Sequence, residues 1–159
     1  MRNAAILALC ILSATALLAE EAKKPLSPPA KAEATLNGKK VTIDYSAPSK
    51  RNRVIMGELV PYGKVWRTGA NAATTLTTET TLMLGTLHVP PGTYTLYTIP
   101  GEKEWTLIVN KQTGQWGTNY DEKQDLGRTK MTVSKVKQPV ETFVIGVDKS
   151  TLNFTWENT

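Results

Sequence analysis

From Ala32 onward apolar and polar residues alternate in short runs, and glycine or proline interrupts them at strand-like intervals. The clearest run has Val41, Ile43 and Tyr45 alternating with Thr42, Asp44 and Ser46. A period of two places the apolar three on one face of a half-buried strand. Just before it stands Asn37-Gly38, the strongest short hairpin signal, because both residues tolerate the positive φ of a tight primed turn. The stretches "NAATTLTTETTLML" and "LHVPPGTYTLYTIPGEKEWTLIVN" are rich in Thr, Tyr and branched residues, which suit a pleated surface. Pro91-Gly92 and Pro100-Gly101 divide them into pieces. Within "TYTLYTI", Tyr94, Leu96 and Thr98 share one face, and Thr95, Tyr97 and Ile99 share the other. The same alternation recurs at Trp105, Leu107 and Val109, at Phe143, Ile145 and Val147, and at Leu152, Phe154 and Trp156. Helical spacing is sparse: one turn fits residues 54–59 and another fits "YDEKQDLGR". Short strands separated by turns predict an all-β fold, a single antiparallel β-sandwich or barrel-like domain with little helix.

The first residues break this pattern. "MRNAAILALCILSATALLAEEAKKP" places Arg2 before an apolar run from Ala4 to Leu12, followed by small residues, the layout of a secretory signal. The run is shorter than the roughly 20 apolar residues of a membrane span. Cleavage fits after Ala19, just before Glu20 and Glu21, or after Ala16, so residues 1–19 are assigned to a signal peptide. Cys10 follows Leu9, where a lipid-attachment site wants a small residue. Residues 20–31, "EEAKKPLSPPAK", read as a flexible Pro- and Lys-rich leader, and residues 32–159 as the domain. Losing the signal removes the single cysteine, and with it any internal disulfide or thiol nucleophile. About 140 residues then suffice for one domain that buries roughly two-thirds of its unfolded surface. No second apolar span follows, so the expected location of the cleaved chain is secreted or periplasmic.

The formal charge of +5 is spread over Lys39, Lys64, Lys103, Lys123 and Lys149, the distribution of a solvated surface; no nucleic-acid partner is expected. One concentrated patch remains, "SKRNR", with Lys50, Arg51 and Arg53 together.

Several chemistries lack their residues. His88 is the only histidine, so a zinc site of nitrogen and sulfur ligands is not expected. No G-x-S-x-G elbow is present, and neither a G-x-G-x-x-G motif nor a phosphate loop supports a nucleotide cofactor. Asp44, Glu58, Glu79, Asp121, Glu122 and Asp125 are not paired by their spacing, so carboxylate hydrolysis would depend on the fold bringing two together. "NYDEKQD" clusters Asn119, Asp121 and Asp125 but lacks the glycine and final glutamate of a calcium loop.

The densest chemistry lies in "PYGKVWRTGAN", residues 61–71. Gly63 and Gly69 bracket residues 64–68, predicted as one short strand with Val65 and Arg67 on one side and Lys64, Trp66 and Thr68 on the other. Trp66 offers an indole face with one donor, Arg67 a planar fork, and Asn71 both a donor and an acceptor. That set suits a sugar ring or a carboxylated ligand, with Arg51 and Arg53 adding charge if their loop folds nearby. The opposing reading has Trp66 filling the core, Arg67 paired with a buried acid such as Glu79 or Asp44, and Asn71 in a left-handed turn. Trp116, between Gly114 and Gly117, is either a lid over the core or a contact surface.

Four signatures carry a resemblance: Tyr62 to Asn71, Pro90 to Gly101, Glu104 to Thr106 and Gln115 to Gly117. Over about Ser46 to Phe143 the chain resembles the secreted bacterial proteins grouped as domain of unknown function 2911. The resemblance implies an exported, mainly β domain in the bacterial envelope, and it implies no activity. The expectation is therefore a non-catalytic module that binds a small molecule, glycan or envelope protein through Trp66, Arg67, Asn71, Arg51, Arg53 and Trp116, without cofactor or metal. A carboxylate-dependent hydrolase acting on envelope polymers and a purely structural module are the alternatives.

Overall fold

The computed structural model of the chain describes residues 25–159; the stretch read as a signal, with Cys10, and residues 20–24 of the stretch read as leader lie outside them. The strands, in chain order, are β1 (Pro29–Leu36), β2 (Lys39–Ser46), β3 (Thr75–Thr78), β4 (Leu82–Leu84), β5 (Leu87–Val89), β6 (Gly92–Ile99), β7 (Glu104–Asn110), β8 (Asp125–Thr132), β9 (Val140–Val147) and β10 (Leu152–Glu157). Six of them form one antiparallel sheet in the order β1-β2-β3-β6-β7-β8. The β4–β5 and β9–β10 hairpins make the second layer. The core lies between the layers, where Val41, Ile43, Leu76, Leu96, Leu107 and Val109 of the large sheet meet Leu82, Val89, Phe143, Ile145 and Trp156. The fold is all-β and antiparallel, with two layers and no closed barrel.

The β1–β2 hairpin follows from its sequence. Leu36 faces Lys39 across the ladder, leaving Asn37 and Gly38 as the turn at φ 50° and 78°, the primed geometry these residues accept. Strand β1 starts at Pro29, three residues inside the stretch read as leader. A proline fits a strand's first position because it has no N–H to offer the ladder.

Of the two helical turns expected, one needs correction. Residues 54–59 form an irregular turn, not a helical one: Val60 N–H donates to Ile55 O at 2.9 Å, and Gly57 at φ 92° breaks any helical run. "YDEKQDLGR" does hold one helical turn, the 3₁₀ turn Glu122–Gln124, and the chain then enters β8, a strand the sequence pattern does not predict. The core-facing positions of β8, opposite Val109, Leu107 and Trp105, are Gly127, Thr129 and Met131, too weakly apolar to show a strand period. Glycine at 127 leaves room for Leu87, whose Cδ1 would stand 2.5 Å from an added Cβ and would have to move. No helix among the described residues is long and apolar enough to cross a membrane.

Candidate functional site: an arginine-lined cleft

Strand β3 covers only the first half of β6, pairing Thr75–Thr78 with Thr95–Gly92. The second half takes its partner from the preceding loop. Trp66 N–H donates to Thr98 O at 2.7 Å, Thr98 N–H returns to Trp66 O at 2.9 Å, and Gly63 N–H reaches Pro100 O at 2.8 Å. Where the sequence predicts a short strand over residues 64–68, the structure has this single bridge. The chain leaves β6 at Thr68, whose φ of 55° is left-handed. That conformation is costly for a β-branched residue and persists only where its surroundings hold it. Thr68 is fully buried, its hydroxyl bonded to Thr98 Oγ1 at 3.0 Å and its carbonyl accepting from Thr74 Oγ1 at 2.8 Å.

Successive residues of this extended segment point to opposite faces, so Trp66 and Arg67 diverge. The Trp66 ring enters the core side, stacked on Trp156 at 5.9 Å and 17° and edge-on to Trp105 and Phe143 at 6.2 and 5.1 Å. Each such pair contributes about 0.5–1.5 kcal/mol beyond its area burial. Arg67 runs instead across Gly117, and its Nε donates to Gly69 O at 3.3 Å, which fixes the fork near its own loop.

A second wall comes from the loop after β2. Phe143 N–H donates to Pro48 O at 2.8 Å, Lys50 N–H donates to Glu141 O at 2.7 Å, and Ser49 Oγ contacts Thr142 Oγ1 at 2.9 Å. Two carboxylates grip this loop by its backbone. Glu141 accepts from Arg51 N at 2.7 Å, and Glu157 accepts from Ile55 N and Met56 N at 3.3 and 3.2 Å. Arg51 and Asn52 are left-handed, at φ 48° and 59°. Arg53 is held through Nε to Lys50 O at 3.0 Å and Nη2 to Ser49 O at 2.7 Å.

The third wall covers the sheet face opposite the core. Tyr97 is buried there; its hydroxyl donates to Asn119 O at 3.2 Å and accepts from Gln115 Nε2 at 3.1 Å. The ring of Tyr120 meets it edge-on at 4.8 Å. Tyr120 O–H donates to Asp125 Oδ2 at 2.8 Å and accepts from Arg128 Nη2 at 2.9 Å. Burial, reinforced by the Asp125 carboxylate, pushes the Tyr120 phenol up to about 12, and burial pushes Tyr97 up as well.

These walls enclose a cleft of about 590 Å³ that Arg51, Arg53, Val65, Trp66, Arg67, Tyr97, Gly117, Tyr120 and Trp156 help to line. Its size lies within the range of small-molecule pockets, about 300–1,000 Å³. Among the described residues, no aspartate or glutamate lines it. Among the described residues, the acids proposed as partners for Arg67 are engaged elsewhere: Asp44 with Lys31 at 3.2 Å, and Glu79 with Lys40 N at 2.7 Å. Ion pairs among these residues involve Lys31, Arg128 and Lys130, and none involves Arg51, Arg53 or Arg67.

Four of the sequence-predicted residues, Arg51, Arg53, Trp66 and Arg67, thus line one cavity, from two of its walls. Asn71 and Trp116 lie outside that lining. Asn71 is left-handed at φ 59°, its side-chain amide points to Ser27 O at 3.4 Å, and its carbonyl accepts from Gly117 N at 2.9 Å. Trp116 bridges to Ala72 and is 53% exposed. Sequence reading missed Tyr97, Tyr120, Gly117 and Trp156 as wall residues. For Tyr97 a signal existed: a polar-tipped aromatic on the strand face opposite Leu96 and Tyr94. Asp121 caps the 3₁₀ turn, and Asp125 is bonded to Asn110, Tyr120 and Arg128.

Fold and cleft together define a two-layered antiparallel β domain with a cationic, aromatic-walled cavity. The chain belongs to the family described as protein of unknown function (DUF2911), whose model matches residues 27–159. Comparison with curated proteins and with solved structures returns no match.

Proposed function

We propose that the chain is an exported, non-catalytic binding module whose ligand occupies the cleft of Arg51, Arg53, Trp66 and Arg67. One observation carries this reading: guanidinium groups from two separate loops line a single cavity to whose wall, among the described residues, no carboxylate contributes. A side-chain carboxylate pair, which hydrolysis of a glycosidic polymer would need, has no counterpart in the four cavities described for residues 25–159, where Asp148 is the lone wall acid. Export is supported by the charged, apolar and small-residue order of residues 1–19. The test is thermal unfolding of the purified chain against glycans, carboxylates, phosphates and divalent metals. Selective binding to the native state stabilises it by about 2.7 kcal/mol at a hundredfold excess over Kd. A saturable rise with one ligand class, lost in Arg67→Ala, is expected. A flat response to every class contradicts the proposal.

A further inference from the structure

The charge arrangement around the cleft narrows the ligand further than its shape does. Near Arg51, two acids approach the loop and each commits one carboxylate oxygen to backbone N–H groups, Glu141 Oε1 to Arg51 N and Glu157 Oε2 to Ile55 N and Met56 N. Neither lies within ion-pairing distance of a cleft guanidinium. The loop is thereby held firmly, and among the described residues no carboxylate pairs directly with its guanidinium groups. Arg53 is oriented by two carbonyl oxygens, which fix the group without neutralising it. Arg67 commits only Nε, to Gly69 O, which leaves both Nη groups of the fork without a partner among the described residues. On the far wall Tyr97 and Tyr120 keep their phenols protonated through the neutral range, so they add no negative charge.

A planar fork with both Nη amino groups open matches the paired oxygens of a carboxylate or phosphate, and several guanidiniums together favour an oxyanion over a neutral hydroxyl compound. Trp66, Trp156 and the Tyr97–Tyr120 pair place apolar ring surface beside the charges, where an ion pair is stronger than in bulk water. We infer that the cleft is an oxyanion site, and that its ligand is a sugar-sized molecule bearing a carboxylate or phosphate that Arg67 receives with Arg51 and Arg53. This rests on the binding reading above and adds the ligand's charge.

The experiment is a calorimetric and thermal-shift titration of the purified chain with matched pairs. Galacturonate and citrate supply carboxylates, glucose 6-phosphate and pyrophosphate supply phosphates, and galactose and glucose are the neutral counterparts. Wild type should bind at least one anion class and ignore the neutral sugars, and the preferred arm distinguishes carboxylate from phosphate. Affinity should fall several-fold between 50 and 500 mM salt, by screening on the order of a Debye length. Arg67→Gln should weaken binding roughly tenfold or more, as loss of a charge-assisted pair does. Arg51→Gln is a second variant at an exposed side chain, and unligated melting temperatures establish that both variants are folded. Equal binding of neutral and charged sugars, unmoved by salt or by either variant, overturns the oxyanion inference and leaves the binding module standing. Anion binding that persists unchanged in both variants places the site elsewhere and overturns it too. No response in any arm overturns both readings.

Discussion

Arg67 and Gly117 are in direct contact: a Cβ built on Gly117 would stand 2.6 Å from Arg67 Cδ and 3.1 Å from Arg67 Cβ. Gly117 is held in place by its N–H, which donates to Asn71 O at 2.9 Å. The glycine of "QWG" and the arginine of "VWRTG" are thus two halves of one packing arrangement. Gly117 is needed here for absence of a side chain, since its φ is not left-handed. Asn71 serves the cleft through its backbone, by placing the surface over which Arg67 lies.

Gly117→Ala should therefore displace Arg67 or the loop carrying residue 117. The added methyl also meets Asn71 O at 2.8 Å, and backbone gives less readily than a side chain. A loss of about 1–3 kcal/mol, the usual cost of overpacking, is expected in urea unfolding, together with weaker ligand binding. An unchanged midpoint with full binding would show that Arg67 does not depend on this contact.

Gly38→Ala separates conformational from steric cost. Nothing lies within 4 Å of the added Cβ, yet φ is 78°. The expected loss is about 1–2 kcal/mol, from the left-handed backbone alone. Ligand response should be intact, because the turn lies far along the chain from the cleft loops. A neutral substitution would mean that the hairpin tolerates another turn type.

The contrast between these glycines shows what was legible in the sequence. Gly38 announces itself beside Asn37, and the strand that follows alternates cleanly at Val41, Ile43 and Tyr45. Strand β8 was hidden because Gly127, Thr129 and Met131 face the core. The arginines of the cleft were visible as clusters, but their convergence was not. It depends on left-handed backbone at Arg51, Asn52 and Thr68, and on Glu141 and Glu157 gripping amides from distant strands. Hydrophobic periodicity carries no trace of such long-range polar pins. Trp66 illustrates both open readings at once, since it stacks on Trp156 in the core and also lines the cleft.

Glu157 anchors the turn after Arg53 by accepting two backbone N–H groups. Glu157→Ala leaves the amides of Ile55 and Met56 without that acceptor, at a cost of about 1–3 kcal/mol. Hydrogen exchange at these two amides should accelerate well beyond that of β6 and β7, and Arg51 and Arg53 should lose affinity for a ligand with them. Unchanged exchange at both positions would show the turn to be held by other means.

Tyr120 supplies a pH signature. Its phenol is raised from the ordinary value near 10 to about 12 in the folded chain. Between these values the unfolded chain ionises first and binds fewer protons, so stability contributed by this group is complete below pH 10 and falls as pH rises toward 12. Urea midpoints measured from pH 8 to 11.5 should decline less steeply in Tyr120→Phe than in wild type over that window. Parallel slopes would place the raised phenol elsewhere.

The most direct test follows the guanidiniums themselves by nitrogen–proton NMR while the anion preferred in calorimetry is added. The Nε–H signals of Arg51, Arg53 and Arg67 and the amides of Gly117 and Thr118 should shift together along one saturation curve, with signals from the β4–β5 hairpin unmoved. Saturable shifts confined to surface lysines such as Lys39 and Lys149, with the arginine signals stationary, would contradict an oxyanion site in this cleft.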